Sequence, residues 1–153
     1  MKFAISLFFS VIILSCSNKT VGQSNQNTFI DLYQGTLHGA GEEGLKEGTL
    51  IMKSTEAWES FLSKLNSVNN VSGQFNSTID FSKNNVIVAV DRVRSTSGFS
   101  IKLSKAQEES DQLVINVTKK GPSPTDMVAT AITQPIDIVV INKTNKKIIF
   151  VTK

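Results

Sequence analysis

From Asp80 onward the apolar residues of this chain fall with a period of two, and that pattern limits the fold more than any other feature. Phe99, Ile101 and Leu103 alternate with Ser100 and Lys102, and Leu113, Ile115 and Val117 alternate with Asn116 and Thr118, while Ile136, Ile138 and Val140 share one face. Successive side chains of a strand point to opposite sides, so such runs describe strands with one face in a core. Val86 to Val90 is apolar throughout, as expected of a central strand covered on both faces. A further apolar run occupies 148–151. The turn-like stretches 108–111 and 142–145 are each expected to close a hairpin between the strands they join.

The first half adds less sheet. Residues 29–37 and 49–53 read as two short strands. Ser54 or Thr55 can cap a helix, Glu56 suits its first turn, and Trp58, Phe61, Leu62 and Leu65 recur at i, i+3, i+4 and i+7. This amphipathic helix is expected to lay its stripe on the sheet. Between the two early strands lies a glycine-rich stretch with Gly39, Gly41, Gly44 and Gly48, which reads as a turn or mobile loop. A phosphate-cradling role for it is disfavoured: no Lys-Ser/Thr follows, and Glu42 and Glu43 would repel the anion. Residues 66–78 are polar and loop-like. Five late strands, two early ones and one helix give an α+β domain over 29–152, mainly antiparallel and sandwich-like.

The beginning of the chain addresses it elsewhere. Met1 and Lys2 precede a twelve-residue apolar run, 3–14. As a helix it would rise about 18 Å, short of a hydrocarbon core roughly 30 Å thick. It therefore reads as the apolar region of a secretory leader. The following Ile13-Leu14-Ser15-Cys16 resembles the lipobox of bacterial lipoproteins. That resemblance implies removal of residues 1–15 and lipidation of Cys16, the only cysteine in the chain. Multiple acyl chains at one residue meet the requirement for stable anchoring. Residues 16–28 then form a polar, flexible tether, able to reach about 40 Å when extended. The expected location is the bacterial cell envelope, with the domain lipid-anchored to a membrane on its periplasmic or surface side.

Composition excludes much chemistry. After loss of the leader, fifteen basic residues face thirteen acidic ones, too even a balance for a nucleic-acid partner. A single histidine, His38, lies in the glycine-rich stretch without a nucleophile motif nearby. With Cys16 lipidated, nitrogen–sulfur metal sites lack ligands, and neither metal nor cofactor is expected. The carboxylate pairs Glu42-Glu43 and Glu108-Glu109 occupy turn-like segments, where solvation accounts for them. A Ser-Lys pair stays open as the basis of a rival hydrolase reading, as does small-ligand binding in the sheet.

Two segments stand out as contact candidates. Asp91-Arg92-Val93-Arg94-Ser95-Thr96-Ser97-Gly98-Phe99 holds the chain's only two arginines between two strong strands. Arginine's planar fork suits carboxylate or backbone recognition; alternatively, Asp91 pairs with one of them and the serines form a tight turn. The second segment is 122–135, where Pro122, Pro124 and Pro135 stiffen the loop or stop a sheet edge from pairing onward.

These pieces occur in an order that resembles the PrcB C-terminal domain family: Ser54 to Trp58, Ile79 to Ser82, the 86–90 strand, Thr96 to Ile101, Gly121 to Pro124, and Thr133 to Val139. The likeness spans about residues 49–152. Ser97, Phe99 and Ile136 depart from the family's usual Gly, Tyr and aromatic residue. The resemblance implies a non-catalytic lipoprotein subunit that associates with and stabilises a surface protease complex. A fainter likeness links Arg94 to Phe99 with the Asn-Pro-Thr-Thr-Gly-Tyr loop of chagasin-type cysteine protease inhibitors, through Thr96, Gly98 and Phe99. The expectation is a non-enzymatic extracytoplasmic protein-binding domain whose partner is a surface or periplasmic protein, a peptidase on either likeness. Its contact residues are expected among Arg92, Arg94, Thr96, Gly98, Phe99, Gln134 and Pro135.

Overall fold

Residues 86–90 do form a strand with no solvent-facing side. The computed structural model describes residues 29–153, in the order β1 (Phe29–Leu37), β2 (Gly48–Met52), α1 (Thr55–Leu65), a 3-10 turn (Ser72–Gln74), β3 (Asn84–Val90), β4 (Ser100–Glu108), β5 (Gln112–Lys120), β6 (Gln134–Asn142) and β7 (Lys147–Thr152). Leader, lipidation site and tether lie outside the described residues. The strands build two sheets, ordered β1-β6-β3-β2 and β4-β5-β7. Among the described residues no helix is long and apolar enough to cross a membrane.

The larger sheet is the middle of three layers. Its inner strands β3 and β6 pair antiparallel, with Val86 opposite Val140, Val88 opposite Ile138 and Val90 opposite Ile136. Those six residues face α1 and pack with Trp58, Phe61 and Leu65. The alternate residues, Ile87, Ala89, Val139 and Ile141, turn the other way and pack on Ile101, Leu103, Leu113, Ile115 and Val117 of the smaller sheet. Helix α1 starts where capping chemistry places it, with the Ser54 side chain accepting from Ala57 N at 3.3 Å. Residues 66–78 are loop apart from the 3-10 turn, yet Val71 is buried and Phe75 sits 6.3 Å from Trp58, while Trp58 Nε1 donates to Ser77 O at 2.7 Å.

Side-chain pegs join the sheets. Asp137 Oδ2 accepts from Leu103 N at 2.5 Å, and Gln34 Nε2 donates to Ile101 O at 2.9 Å. Asp137 lies opposite Ala89, a residue small enough to leave it room, and burial pushes its carboxyl above the ordinary range.

The turn at 108–111 closes the β4–β5 hairpin as expected. The one expected at 142–145 does not. Strand β6 already has β1 on one side and β3 on the other, so β7 has no free edge there. It crosses to the smaller sheet and pairs parallel with β5, Ile115 opposite Phe150. Parallel neighbours need a crossover connection, and here that crossover is β6 itself. The domain is otherwise antiparallel, an α+β sandwich with its single α-helix on the outer face of the larger sheet.

Candidate functional site

Leu37, Gly48, Val90 and Gln134 all stand at one end of the larger sheet, through the pairs Leu37–Gln134, Gly48–Val90 and Val90–Ile136. Three loops therefore emerge together there: 38–47, 91–99 and 121–133. The second and third are interlaced. Arg94 N donates to Thr133 O at 2.7 Å and Thr133 N to Arg94 O at 2.9 Å. Further out, Ser97 N donates to Ala129 O at 3.0 Å, and Ala129 N returns a bond to Ser97 Oγ at 2.9 Å. Thr133 Oγ1 also donates to Thr96 O at 2.9 Å.

The first loop is tied in from below. Gln134 Nε2 donates both to Leu45 O (2.9 Å) and to Asp91 O (3.0 Å), while Asp91 N donates to Pro135 O. Val93 leans over Gly41 so closely that a side chain at 41 would meet its Cγ2 at 2.9 Å.

An ion-pair network centred on the buried Asp91 underlies the cluster. Arg94 Nε and Nη2 reach Asp91 Oδ2 at 2.8 and 2.6 Å, and Lys119 Nζ from β5 reaches Asp91 Oδ1 at 2.9 Å. Lys119 also pairs with Glu47, the ion pair that contributes most to holding its ammonium above its ordinary range. Burial pushes the Asp91 carboxyl up, but the Lys119 and Arg94 cations outweigh it and hold it below its ordinary value. The Arg94 guanidinium carbon lies 4.3 Å from the centre of the Phe99 ring, within cation–π range.

The expected contact residues thus divide. Arg92 is exposed and points to no described partner, and Gly98 is exposed beside it in the same loop. Gly98 has φ +90°, and a Cβ there would meet Pro122 at 3.0 Å and Val128 at 3.1 Å. Thr96 and Phe99 are half-buried, and Arg94 is occupied by Asp91 and Phe99. Gln134 and Pro135 are buried and face inward, holding the loops from beneath. His38 is exposed in the first loop.

One expectation about this end is corrected. Glu43 is not solvated: it is 3% exposed, and its carboxylate is packed against Gly39, where any Cβ would overlap it. The glycine at 39 makes room for a curled loop that folds over its own glutamate.

Residues missed by sequence reasoning are apolar. Of the eight large hydrophobic residues left exposed among the described residues, four belong to the interlaced loops: Val93 (43%), Val128 (38%), Ile132 (53%) and Met127, which is fully exposed. The others are scattered singly over β1, β2, β7 and the loop after α1. Grouped apolar exposure marks interaction surfaces, whereas single residues do not. The signal was available in Met127-Val128 and Ile132, but only loop pairing brings the segment that carries Val93 onto theirs.

Among the described residues no group of three His, Cys, Asp or Glu side chains could hold a metal ion. The rival hydrolase needs a Ser-Lys pair, yet Ser67 Oγ reaches only the carbonyl of Lys64, and Ser97 Oγ serves Ala129. A model of the PrcB C-terminal family matches residues 85–142, from β3 to the end of β6 and including both interlaced loops. No curated protein and no solved structure matches the chain.

Proposed function

We propose that this chain is a lipid-anchored, extracytoplasmic protein-binding domain that acts as an accessory, stabilising subunit of an envelope protease complex. The observation that carries the reading is the exposed apolar group Val93, Met127, Val128 and Ile132 on two loops fastened to each other at two points. Burying such residues against a partner gains roughly 1.5–3 kcal/mol per fully buried side chain, and rigid loops lose little entropy on binding. Arg92 at the rim adds a polar contact that favours a carboxylate or backbone carbonyl of the partner. Gln134, Pro135 and Arg94 hold this surface in shape from behind.

The family match supports an accessory role beside a protease, and the lipobox at Cys16 supports the envelope address. Cell-envelope fractionation of the native chain and of Cys16→Ala tests the address; the variant is expected to leave the membrane fraction, and its retention there would remove the anchor from the account. The partner role is tested by affinity capture with the detergent-solubilised full chain against a Met127→Glu/Ile132→Glu variant. Recovery of a peptidase by the native chain alone is the expected result. Equal recovery by both would reject the loop surface, and inhibition of the recovered peptidase by the domain would instead favour the chagasin-like role.

A further inference from the structure

The larger sheet ends in β2, and among the described residues no strand pairs with its outer side. Edge strands are usually blunted by charge, proline or a bulge. The edges β1 and β4 each carry a bulge, at Asp31/Tyr33 and Lys105/Gln107. Strand β2, Gly-Thr-Leu-Ile-Met, carries none of these devices. Beside it, between β2 and α1, runs a groove of about 390 Å³ whose floor includes Leu45, Leu50, Met52 and Phe61. Leu50 is 44% exposed into this space. Lys46 and Lys64 stand on its two walls, both exposed, and neither makes an ion pair among the described residues.

An open backbone edge, an apolar floor and two uncommitted cations together describe what an extended acidic–apolar peptide needs. The free N–H and C=O groups of β2 would take its backbone, Leu50 an apolar side chain, and the two ammonium groups its carboxylates. We propose that β2 and this groove bind such a segment of a partner protein by strand addition, at a site separate from the interlaced loops. A basic or uniformly apolar segment would leave Lys46 and Lys64 repelled or buried without a counter-charge.

The test is fluorescence anisotropy of a labelled peptide, acetyl-Glu-Ile-Asp-Val-Glu-Ile-amide, titrated with the detergent-solubilised full chain. Saturable binding is expected, weakened at least tenfold in a Lys46→Glu/Lys64→Glu variant and unchanged by Met127→Glu/Ile132→Glu, which separates this site from the loop surface. Circular dichroism and thermal melting establish that both variants fold. A peptide N-methylated at alternate residues keeps the side chains but cannot extend the ladder, and it should bind at least tenfold more weakly. The proposal is overturned if the peptide does not saturate at millimolar concentration or if its lysine-for-acid counterpart binds equally. It is also overturned if N-methylation has no effect or if dodecanoate occupies the groove while the peptide does not.

Discussion

Arg94 and Thr133 exchange both of their backbone hydrogen bonds, and that one pair turns two separate loops into a single clip. Without it, 91–99 and 121–133 would be independent excursions, each free to move against the other. With it, and with the second fastening between Ser97 and Ala129, Val93 and Ile132 are held at one end of the sheet as parts of the same surface. Everything proposed for that surface depends on the clip being closed before a partner arrives.

Thr133→Val tests the clip directly. The variant keeps the shape and the backbone bonds but removes the Oγ1 donor to Thr96 O. A net loss of about 1 kcal/mol is expected, seen as a melting temperature lower by roughly 4 °C. An unchanged melt would mean that the hydroxyl does not fasten the loops.

Gly98→Ala should be costly although the residue is exposed. Its φ of +90° is unfavourable for any side chain, and the new Cβ would press on Pro122 and Val128. The expected destabilisation is about 1–3 kcal/mol, measured by urea denaturation; a neutral substitution would show that this turn opens freely.

Acid should loosen the same end of the domain. The Asp91 carboxyl is held below its ordinary value in the fold, so its contribution is fully present above pH 4 and is lost as pH falls through its depressed folded value. Asp91→Asn leaves Arg94 and Lys119 without their shared carboxylate and should cost about 3 kcal/mol at neutral pH. The difference between native and variant, followed by thermal melting from pH 7 to pH 3, should shrink toward the acid end. A constant difference would separate Asp91 from the acid response.

Asp137 carries the opposite sign. Burial raises its carboxyl above the ordinary value, so the fold favours the protonated form, and stability from this site falls as pH rises through the raised folded value. Asp137→Asn keeps an oxygen to accept from Leu103 N and removes the desolvated charge. The variant should gain on the native protein as pH rises from 4 toward 7 in the same melting series; an equal loss at both ends would contradict the assignment.

Much of this architecture could be read from the chain, and the failures have a common origin. The helix was legible because Ser54, Glu56 and the Trp58–Leu65 stripe are local signals, and the buried middle strand because Val86 to Val90 has no polar face. The β6–β7 hairpin failed because a local turn at 142–145 says nothing about whether β6 has a vacant edge, and both of its edges are filled by strands distant in sequence. Glu43 failed similarly: its burial depends on Gly39 leaving space, a pairing that charge alone cannot reveal. Arg92, Thr96 and Gly98 all fall on the 91–99 loop, while the surroundings of Arg94, Gln134 and Pro135 became readable only once Asp91, Leu45 and Phe99 were seen around them. The exposed apolar residues escaped notice because Val93 is far along the chain from Met127, Val128 and Ile132, and their two loops are joined only by the Arg94–Thr133 and Ser97–Ala129 pairings and the Thr133–Thr96 bond.

Site-specific photo-crosslinking in the intact envelope tests the central claim most directly. A photoreactive phenylalanine replaces Met127, fully exposed on the clip, and in a second chain it replaces Asn145, exposed beyond the far end of β6. The account predicts one discrete crosslinked protein from position 127 and none from position 145. No adduct at 127, or the same products from both positions, would contradict it.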